Sequence, residues 1–397
     1  MRTTYVAPLT QDSAKKKAAK PAQPPSEPQP TPQPQPAPAP SREGEVIFIG
    51  LDFGTNKTCY KASYAGSKEV FAAGLLPSVV GYTKEGIVEN LIPDNATVLF
   101  GEDALAHRLY LRVVQPLVDG VVADLSAARD FLQHIKQRIN PPEGAELRTV
   151  IGVPANSTRA AHEKLMEAVR GIFDKVILIP EPFLAALGFR DESRLRDPSY
   201  IDPVRNSLFV DIGAGTTDVC LVQGYFPGPE DQVSSSFAGD RVDAVLAELI
   251  RKQYPDVDLS LPKVREIKER FSFVGTTDTP ATVNVIVKGK MRRLELTEAI
   301  GEACTQLLNE VFELVKAGIA KASSDSVGEL LQNIILTGGG SLIRNIDTEL
   351  QRMLVEEGYE KPRVHKAGPD YKEHVAKGAL AAARQAREGQ WQVPGAA

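Results

Sequence analysis

The chain has 397 residues and a mass of 43.0 kDa, more than one ordinary domain requires, so we expect two or more lobes. A formal net charge of -5 excludes the basic excess that is typical of nucleic-acid-binding proteins. No apolar run approaches the ~18 to 20 residues that span a bilayer, so we expect no direct membrane insertion. Three widely spaced cysteines inside apolar patterns fit a reducing, cytoplasmic compartment, and the five scattered histidines have no zinc-ligand spacing.

Residues 1–44 differ in composition from the rest of the chain. The stretch "PAQPPSEPQPTPQPQPAPAP" has no bulky apolar side chains, so folding could not offset the entropy of ordering it. We therefore predict a disordered, Pro/Gln/Lys-rich tail. A cluster of lysines could contact an acidic partner or lipid headgroups, but a solvated charge run on a tether is the favoured interpretation. The cluster contains Lys15, Lys16, Lys17 and Lys20.

From Val46 onward the pattern becomes that of an α/β domain, predicted to form a first lobe over 46–189 with a small subdomain at about 66–120. It begins with a hairpin at 46–65, because two strand-like runs flank a polar turn. The later predicted elements are helices at 101–113 and 124–139, the strand "TVIGVPA", a helix in "NSTRAAHEKLMEAVRGIF", the strand "KVILIP" and the helix "EPFLAALGF".

The second half repeats this order after a charged, Pro-interrupted loop at 190–207. A second lobe is predicted over 208–387, with a small subdomain at 238–297 and a C-terminal tail at 388–397. Its hairpin "SLFVDIGAGTTDVCLVQG" matches the first at a spacing of 159 positions, 211 minus 52, so two related lobes facing a cleft are implied. Further predicted elements are helices at 240–253, 262–272, 297–320, 342–355 and 371–387, strand-like residues at 281–296 and the strand in "NIILTGGG".

The turns of the two hairpins have the composition of phosphate-binding loops. Glycine lets backbone amides approach an anion without an obstructing Cβ, and two facing turns would clamp a polyphosphate. Asp52 and Asp211 are suited to hold a hydrated Mg²⁺. One Asp-x-Gly turn alone is ordinary turn chemistry, but two matched copies and a third glycine turn favour a nucleotide site. The predicted binding residues are Gly54, Thr55, Asn56, Lys57, Gly213, Ala214, Gly215, Thr216, Thr217, Gly338, Gly339, Gly340 and Ser341.

These motifs together resemble the superfamily of actin, heat-shock chaperone and sugar kinase ATPases. "LDFGTNKT" and "FVDIGAGTTD" are similar to its two phosphate motifs, and "IILTGGGSLI" is similar to its adenosine motif. "TVIGVPA" and "VAKGALAAA" resemble its two connecting motifs at the hinge. The resemblance covers residues 46–387 and implies a two-lobed actin-like fold, made of duplicated ribonuclease H-like domains around a nucleotide cleft.

The same resemblance implies roles for individual residues. In "IPEPFLAALG", similar to the bacterial actin pattern, Glu181 would position the attacking water, with Asp211 as its catalytic partner. The alternative for Glu181 is an acid that only stabilises a helix N-terminus. Lys268 and Glu269 would touch the adenosine, or would be ordinary charges on an amphipathic helix. Gly239 and Asp240 are also assigned to nucleotide binding.

Within the superfamily, "PGPEDQV", "FSFVGT" and "LQNIILTGGGSLIR" are similar to the MamK family of filament-forming bacterial actins. This implies an ATPase that binds ATP or ADP with Mg²⁺ and forms head-to-tail homopolymers. It also implies adaptor proteins that link the filament to magnetosomes or a similar cargo, through the tail as one route. A small-molecule kinase of the same fold is the alternative, disfavoured because the insertion at 66–120 is short.

Deleting residues 1–44 is predicted to leave ATP-dependent assembly intact, because a tether adds no packed surface. Sedimentation of the truncated and full-length chains with Mg-ATP measures this. Loss of assembly on truncation would show that the segment is more than a tether.

Overall fold

In a computed structural model, the described part of the chain comprises residues 44–118, 120–287 and 289–395. The predicted tail, apart from Gly44, lies outside these residues. Within the described ranges, no helix combines the length and apolar character needed to cross a membrane.

The first half is built on a five-stranded mixed sheet. The hairpin β1–β2 is antiparallel, and β9 and β10 extend the sheet in parallel from β1, in the order β10-β9-β1-β2-β3. The strands are β1 (Val46–Phe53), β2 (Lys57–Tyr64), β3 (Ala72–Pro77), β4 (Val80–Thr83), β5 (Val98–Phe100), β6 (Leu111–Val114), β7 (Leu117–Val118), β8 (Val121–Val122), β9 (Glu146–Val153) and β10 (Lys175–Pro180), and the helices are α1 (Gly101–Ala106), α2 (Leu125–Ile139), α3 (Arg159–Val169) and α4 (Glu181–Phe189).

The second half repeats this sheet. The hairpin β11–β12 is antiparallel, β16 and β17 continue in parallel, and the order is β13-β12-β11-β16-β17. The repeated motif in the sequence therefore corresponds to a duplicated topology. The elements are β11 (Ser207–Ile212), β12 (Thr217–Val222), β13 (Gln232–Ser235), α5 (Gly239–Gln253), α6 (Leu261–Phe271), β14 (Thr282–Val287), β15 (Lys290–Glu295), α7 (Thr297–Ile319), α8 (Val327–Leu330), β16 (Ile334–Thr337), α9 (Ile346–Glu356), β17 (Val364–Lys366) and α10 (Tyr371–Gln385).

The region around residues 80–114 differs from the sequence prediction. A helix was expected over 101–113, but α1 ends at Ala106 and the chain returns as β6, which pairs antiparallel with β4. This prediction was wrong because strand pairing, which buries Leu111, overrides the local helical pattern. A separate small core lies here, formed by Val79, Ile92, Leu99, Ala104 and Leu111.

Helices α4 and α10 cross between the two sheets, and glycine residues let their backbones come into direct contact. A Cβ on Gly188 would lie 1.9 Å from the His374 carbonyl oxygen, and one on Gly378 would lie 1.9 Å from the Leu184 carbonyl oxygen. Helix α4 is buried on two sides: Leu184 packs with a cluster from the first sheet, while Ala185 and Ala186 pack with a cluster from the second. The second connecting motif of the sequence, in α10, thus meets the helix that Glu181 begins.

Two segments outside the repeats are held by specific contacts. In the loop at 190–207, the Arg190 guanidinium forms a bidentate pair with the Asp202 carboxylate. In the predicted C-terminal tail, Gln392 exchanges two backbone hydrogen bonds with Val176 of β10, at 2.8 and 3.0 Å. Trp391 stacks on Phe48 with ring centroids 6.2 Å apart. This segment therefore covers the open edge of the first sheet.

We predict that Gly378→Ala lowers stability by about 2 kcal/mol, because the added methyl group forces apart a backbone contact that has no free space. The better helix propensity of alanine, ~1 kcal/mol, offsets only part of this cost. Gly328→Ala in α8 is the control, since nothing lies within 4 Å of its Cβ position. Thermal unfolding compares the two variants, and equal midpoints would contradict the close crossing.

Candidate functional site

Three carboxylates lie together where the two sheets face each other. Asp52 and Asp211 occupy the carboxyl ends of β1 and β11, and Glu181 begins α4 immediately after β10. Gly152 of β9 leaves room for the Glu181 side chain, because a Cβ at position 152 would lie 2.9 Å from the Glu181 Cγ. Strand ends and the start of a connecting helix thus carry the three acids.

Burial and neighbouring carboxylates raise the pKa values of all three acids. Burial, followed by the charge of Asp211, raises the pKa of Asp52 to about 7. Burial and then Asp52 hold the pKa of Glu181 well above its usual value, and burial with Asp218 raises the pKa of Asp211 to about 6. Asp211 nevertheless remains exposed to solvent.

The cluster has the charge pattern of a site for a hydrated cation. Among the described residues, no Lys, Arg or His side chain forms an ion pair with Asp52, Glu181 or Asp211. In the same part of the chain, no group of three or more His, Cys, Asp or Glu side chains is arranged to ligate a metal directly. Mg²⁺ commonly keeps several of its waters, and the carboxylates would hold it through them.

Residues outside the motif hold the first glycine turn in place through hydrogen bonds. A Cβ on Gly54 would lie 2.7 Å from the Lys57 carbonyl oxygen, so only glycine fits this turn. The Ser78 hydroxyl donates to the Gly54 carbonyl at 2.6 Å, and the Thr55 hydroxyl accepts from the Gly120 amide at 2.9 Å. Asn56 and Lys57 remain exposed toward solvent. Sequence analysis missed Ser78, because a lone serine after a strand carries no motif.

The second turn is capped by the start of α5. The Gly239 amide donates to the Gly213 carbonyl at 3.1 Å, and the Asp240 amide donates to the Ala214 carbonyl at 2.8 Å. Both amides, assigned to nucleotide binding from the sequence, are thus engaged by the turn itself. Ala214, Gly215 and Thr216 face solvent.

The hydroxyls of three predicted binding residues donate to the protein itself. The Thr217 hydroxyl is buried and donates to the Phe237 carbonyl at 2.8 Å, and the Thr216 hydroxyl donates to Asp218 at 2.8 Å. Ser341 is likewise buried and donates to the Gly338 carbonyl at 2.7 Å. Their side chains stabilise the turns, so the turns present backbone more than hydroxyl groups to the cleft.

The third glycine turn lies directly against Asp211. Gly338 has φ +76°, and a Cβ there would lie 2.2 Å from the Asp211 Oδ1. A Cβ on Gly340 would lie 2.1 Å from the Ile212 Cγ2. On the open side, the Gly339 Cβ position is 3.6 Å from the Tyr371 hydroxyl. The turn therefore joins the end of β11 to the first turn of α10.

Lys268 and Glu269 occupy different surroundings on α6. The Lys268 ammonium donates to the Gly239 carbonyl at 2.8 Å and pairs with the buried Asp243 at 2.7 Å, so it braces the start of α5. Asp240 pairs with Arg265 at 2.6 Å. Glu269 is exposed and contributes, after burial and Asp211, to the raised pKa of Tyr371.

Comparisons with known proteins agree with this architecture. The model of the MreB/Mbl protein family matches residues 46–387. The actin-like protein MamK of Paramagnetospirillum magneticum is 33% identical over 313 residues, 78% of this chain and 84% of that protein. A solved MamK double helical filament matches with TM-score 0.74 and 31% identity, over 86% of this chain and 100% of that chain. A non-polymerising MamK mutant bound to AMPPNP matches with TM-score 0.69 and 31% identity, over 86% and 99%. The predicted actin-like fold is confirmed.

The carboxylate cluster generates a pH prediction for the protein without nucleotide or Mg²⁺. The folded-state pKa of Asp52 is raised above 3.8 to about 7, so the folded state binds more protons in this window and stability falls as pH rises through it. Asp52→Asn should therefore raise the thermal midpoint by ~4 °C at pH 8, with the gain disappearing toward pH 4.

Asp325→Asn, at an exposed position, is the matched control and should show no pH-dependent gain. Thermal unfolding of the wild type and both variants at four pH values provides the measurement. A gain from Asp52→Asn that is the same at every pH would mean that charge repulsion is not its origin.

Proposed function

Because the chain belongs to the MreB/Mbl family of actin-like proteins, with MamK proteins among its relatives, we propose that it is a cytoskeletal ATPase. It polymerises with Mg-ATP and disassembles after hydrolysis. The observation that carries this proposal is the meeting of three carboxylates with raised pKa values and three glycine turns between two duplicated sheets. In this arrangement the glycine turns would bind a polyphosphate, the aspartates a hydrated cation, and Glu181 a water, all in one cleft.

Asp52 and Asp211 would hold Mg²⁺ through its waters, and the bound ion would neutralise charge on the phosphate oxygens. Glu181 would orient the attacking water. Its raised pKa arises from burial and from the charges of Asp52 and Asp211, so a cation beside them favours the ionised form that accepts a proton. The role of Glu181 therefore depends on the charge state of its two neighbours.

The glycine turns would bind the nucleotide mainly through backbone amides. The first two turns would receive the phosphates, with Lys57 as a side-chain donor. The turn at Gly338, Gly339 and Gly340 would receive the adenosine, next to Glu269. The side chains of Lys268, Thr217 and Ser341 would support these surfaces from behind.

Self-association would be head-to-tail, because a contact between two different surfaces of one chain repeats without closing. The solved relative that forms a double helical filament supports this geometry. By analogy with the MamK relatives, the filament would lie in the cytoplasm and position magnetosomes or a comparable cargo through adaptor proteins. ATP binding would favour assembly by closing the two halves about α4 and α10.

We expect Glu181→Ala to slow phosphate release at least ~100-fold, because the attacking water loses its orienting carboxylate. Wild-type filaments should form with Mg-ATP and disappear as ATP is consumed, whereas Glu181→Ala filaments should persist. Sedimentation measures the polymerised protein, negative-stain microscopy shows whether filaments persist, and a phosphate assay measures hydrolysis. Glu192→Ala, at an exposed acid just beyond α4, is the control and should behave like the wild type.

Two outcomes would overturn the proposal. If Glu181→Ala hydrolysed ATP as fast as the wild type, Glu181 would have no hydrolytic role. If the wild type consumed ATP without polymerising at any concentration, a kinase of the same fold would become the better assignment, and a screen of hydroxyl substrates would follow.

A further inference from the structure

Helix α6 is capped at its C-terminal end by a residue that follows the third glycine turn. The Arg344 guanidinium donates from Nη2 to the Phe271 carbonyl at 3.0 Å and from Nε to the Ser272 carbonyl at 3.3 Å. The last carbonyls of a helix have no partner inside it, and a cation there also meets the negative end of the helix dipole. Arg344 therefore joins the end of α6 to the segment that leaves the turn.

Further hydrogen bonds strengthen this junction. The Arg344 amide donates to the Ser272 carbonyl at 3.3 Å, and the Val274 amide donates to the Arg344 carbonyl at 3.0 Å. Asn345 has φ +64°, and its Nδ2 donates to the carbonyls of Val274 and Thr276 at 3.2 Å each. The chain after the third glycine turn and the chain after α6 are thus hydrogen-bonded to each other through both backbone and side chains.

The charged side chains of α6 lead to the second glycine turn. Asp243 of α5 is 2% exposed and pairs with Lys268 at 2.7 Å and with Arg265 at 2.8 Å. The Lys268 ammonium also donates to the Gly239 carbonyl at 2.8 Å, and the Gly239 amide donates to the Gly213 carbonyl of the second turn at 3.1 Å. Because separating a buried ion pair is costly, Asp243 fixes Lys268 against the start of α5.

We propose that α6 is a strut that couples the second glycine turn to the third, with Asp243 and Arg344 as the positioning residues at its two ends. The strut rests on the proposed function, in which these turns receive the phosphates and the adenosine. Adenosine at the third turn orders the segment that carries Arg344 and hence α6, so less ordering remains when phosphate binds at the second turn. Each ligand therefore raises the affinity of the protein for the other by the same factor.

The two turns also touch directly, because Gly338 lies against the Asp211 side chain at the end of β11. This contact is a second route by which one turn could influence the other. Arg344 lies beyond the third turn and takes no part in it. Changing Arg344 therefore separates the strut from the direct contact.

The test measures the affinity of the full chain for adenosine by calorimetry, with and without saturating pyrophosphate and Mg²⁺, and the affinity for pyrophosphate with and without adenosine. In the wild type each ligand should raise the affinity for the other ~10-fold. Arg344→Met should abolish this effect while each ligand alone binds as in the wild type, because neither contacts Arg344. Arg344→Lys keeps a cation at the end of α6 and should recover part of the coupling. Arg352→Met, at an exposed position on α9, is the control and should keep all of it.

A variant at the other end, Asp243→Asn, keeps the test independent of how Arg344→Met folds. It should also abolish the coupling, and the double variant should bind the ligands like either single variant, because both residues act on one helix. If the wild type bound adenosine and pyrophosphate independently, or if Arg344→Met kept the full coupling, the strut would be overturned and the proposed function would stand. A wild type that bound neither ligand would contradict the proposed function itself, and the strut with it.

Discussion

The crossing of α4 and α10 at Gly188 and Gly378 is the contact on which the rest of the described structure depends. Backbone atoms of the two helices approach so closely that no side chain fits between them, which fixes their spacing. Glu181 begins one helix and Tyr371 begins the other, so the crossing sets where the acid of the cleft lies relative to the third glycine turn. Because the crossing fixes this placement, both sheets contribute residues to one site.

The carboxylate cluster is the main electrostatic feature of the cleft. Burial, together with neighbouring carboxylates, raises the pKa values of Asp52, Glu181 and Asp211, so their ionised forms cost free energy where no cationic side chain pairs with them. A hydrated cation bound beside these carboxylates would relieve this cost.

The sequence predicted well those features that local patterns encode. The paired hairpins, the strand ends at Asp52 and Asp211 and the long helix α7 follow from apolar periodicity and from glycine positions. The duplicated topology followed from one repeated motif. The helix predicted over 101–113 was wrong, since β6 pairs with β4, a contact between residues about thirty positions apart that no local window contains. The roles of the site residues in nucleotide binding and hydrolysis stay predictions.

By itself, the sequence determined the family, the duplicated halves and the positions of the glycine turns, because each depends on short motifs that a chain carries in any conformation. Only the tertiary structure decided which groups face the cleft. It buried the Thr217 and Ser341 hydroxyls, paired Lys268 with Asp243, and brought Glu373 to Lys61 across more than three hundred residues. Side-chain direction and charge pairing arise from packing between distant segments, and the spacing of residues along a chain does not contain that information.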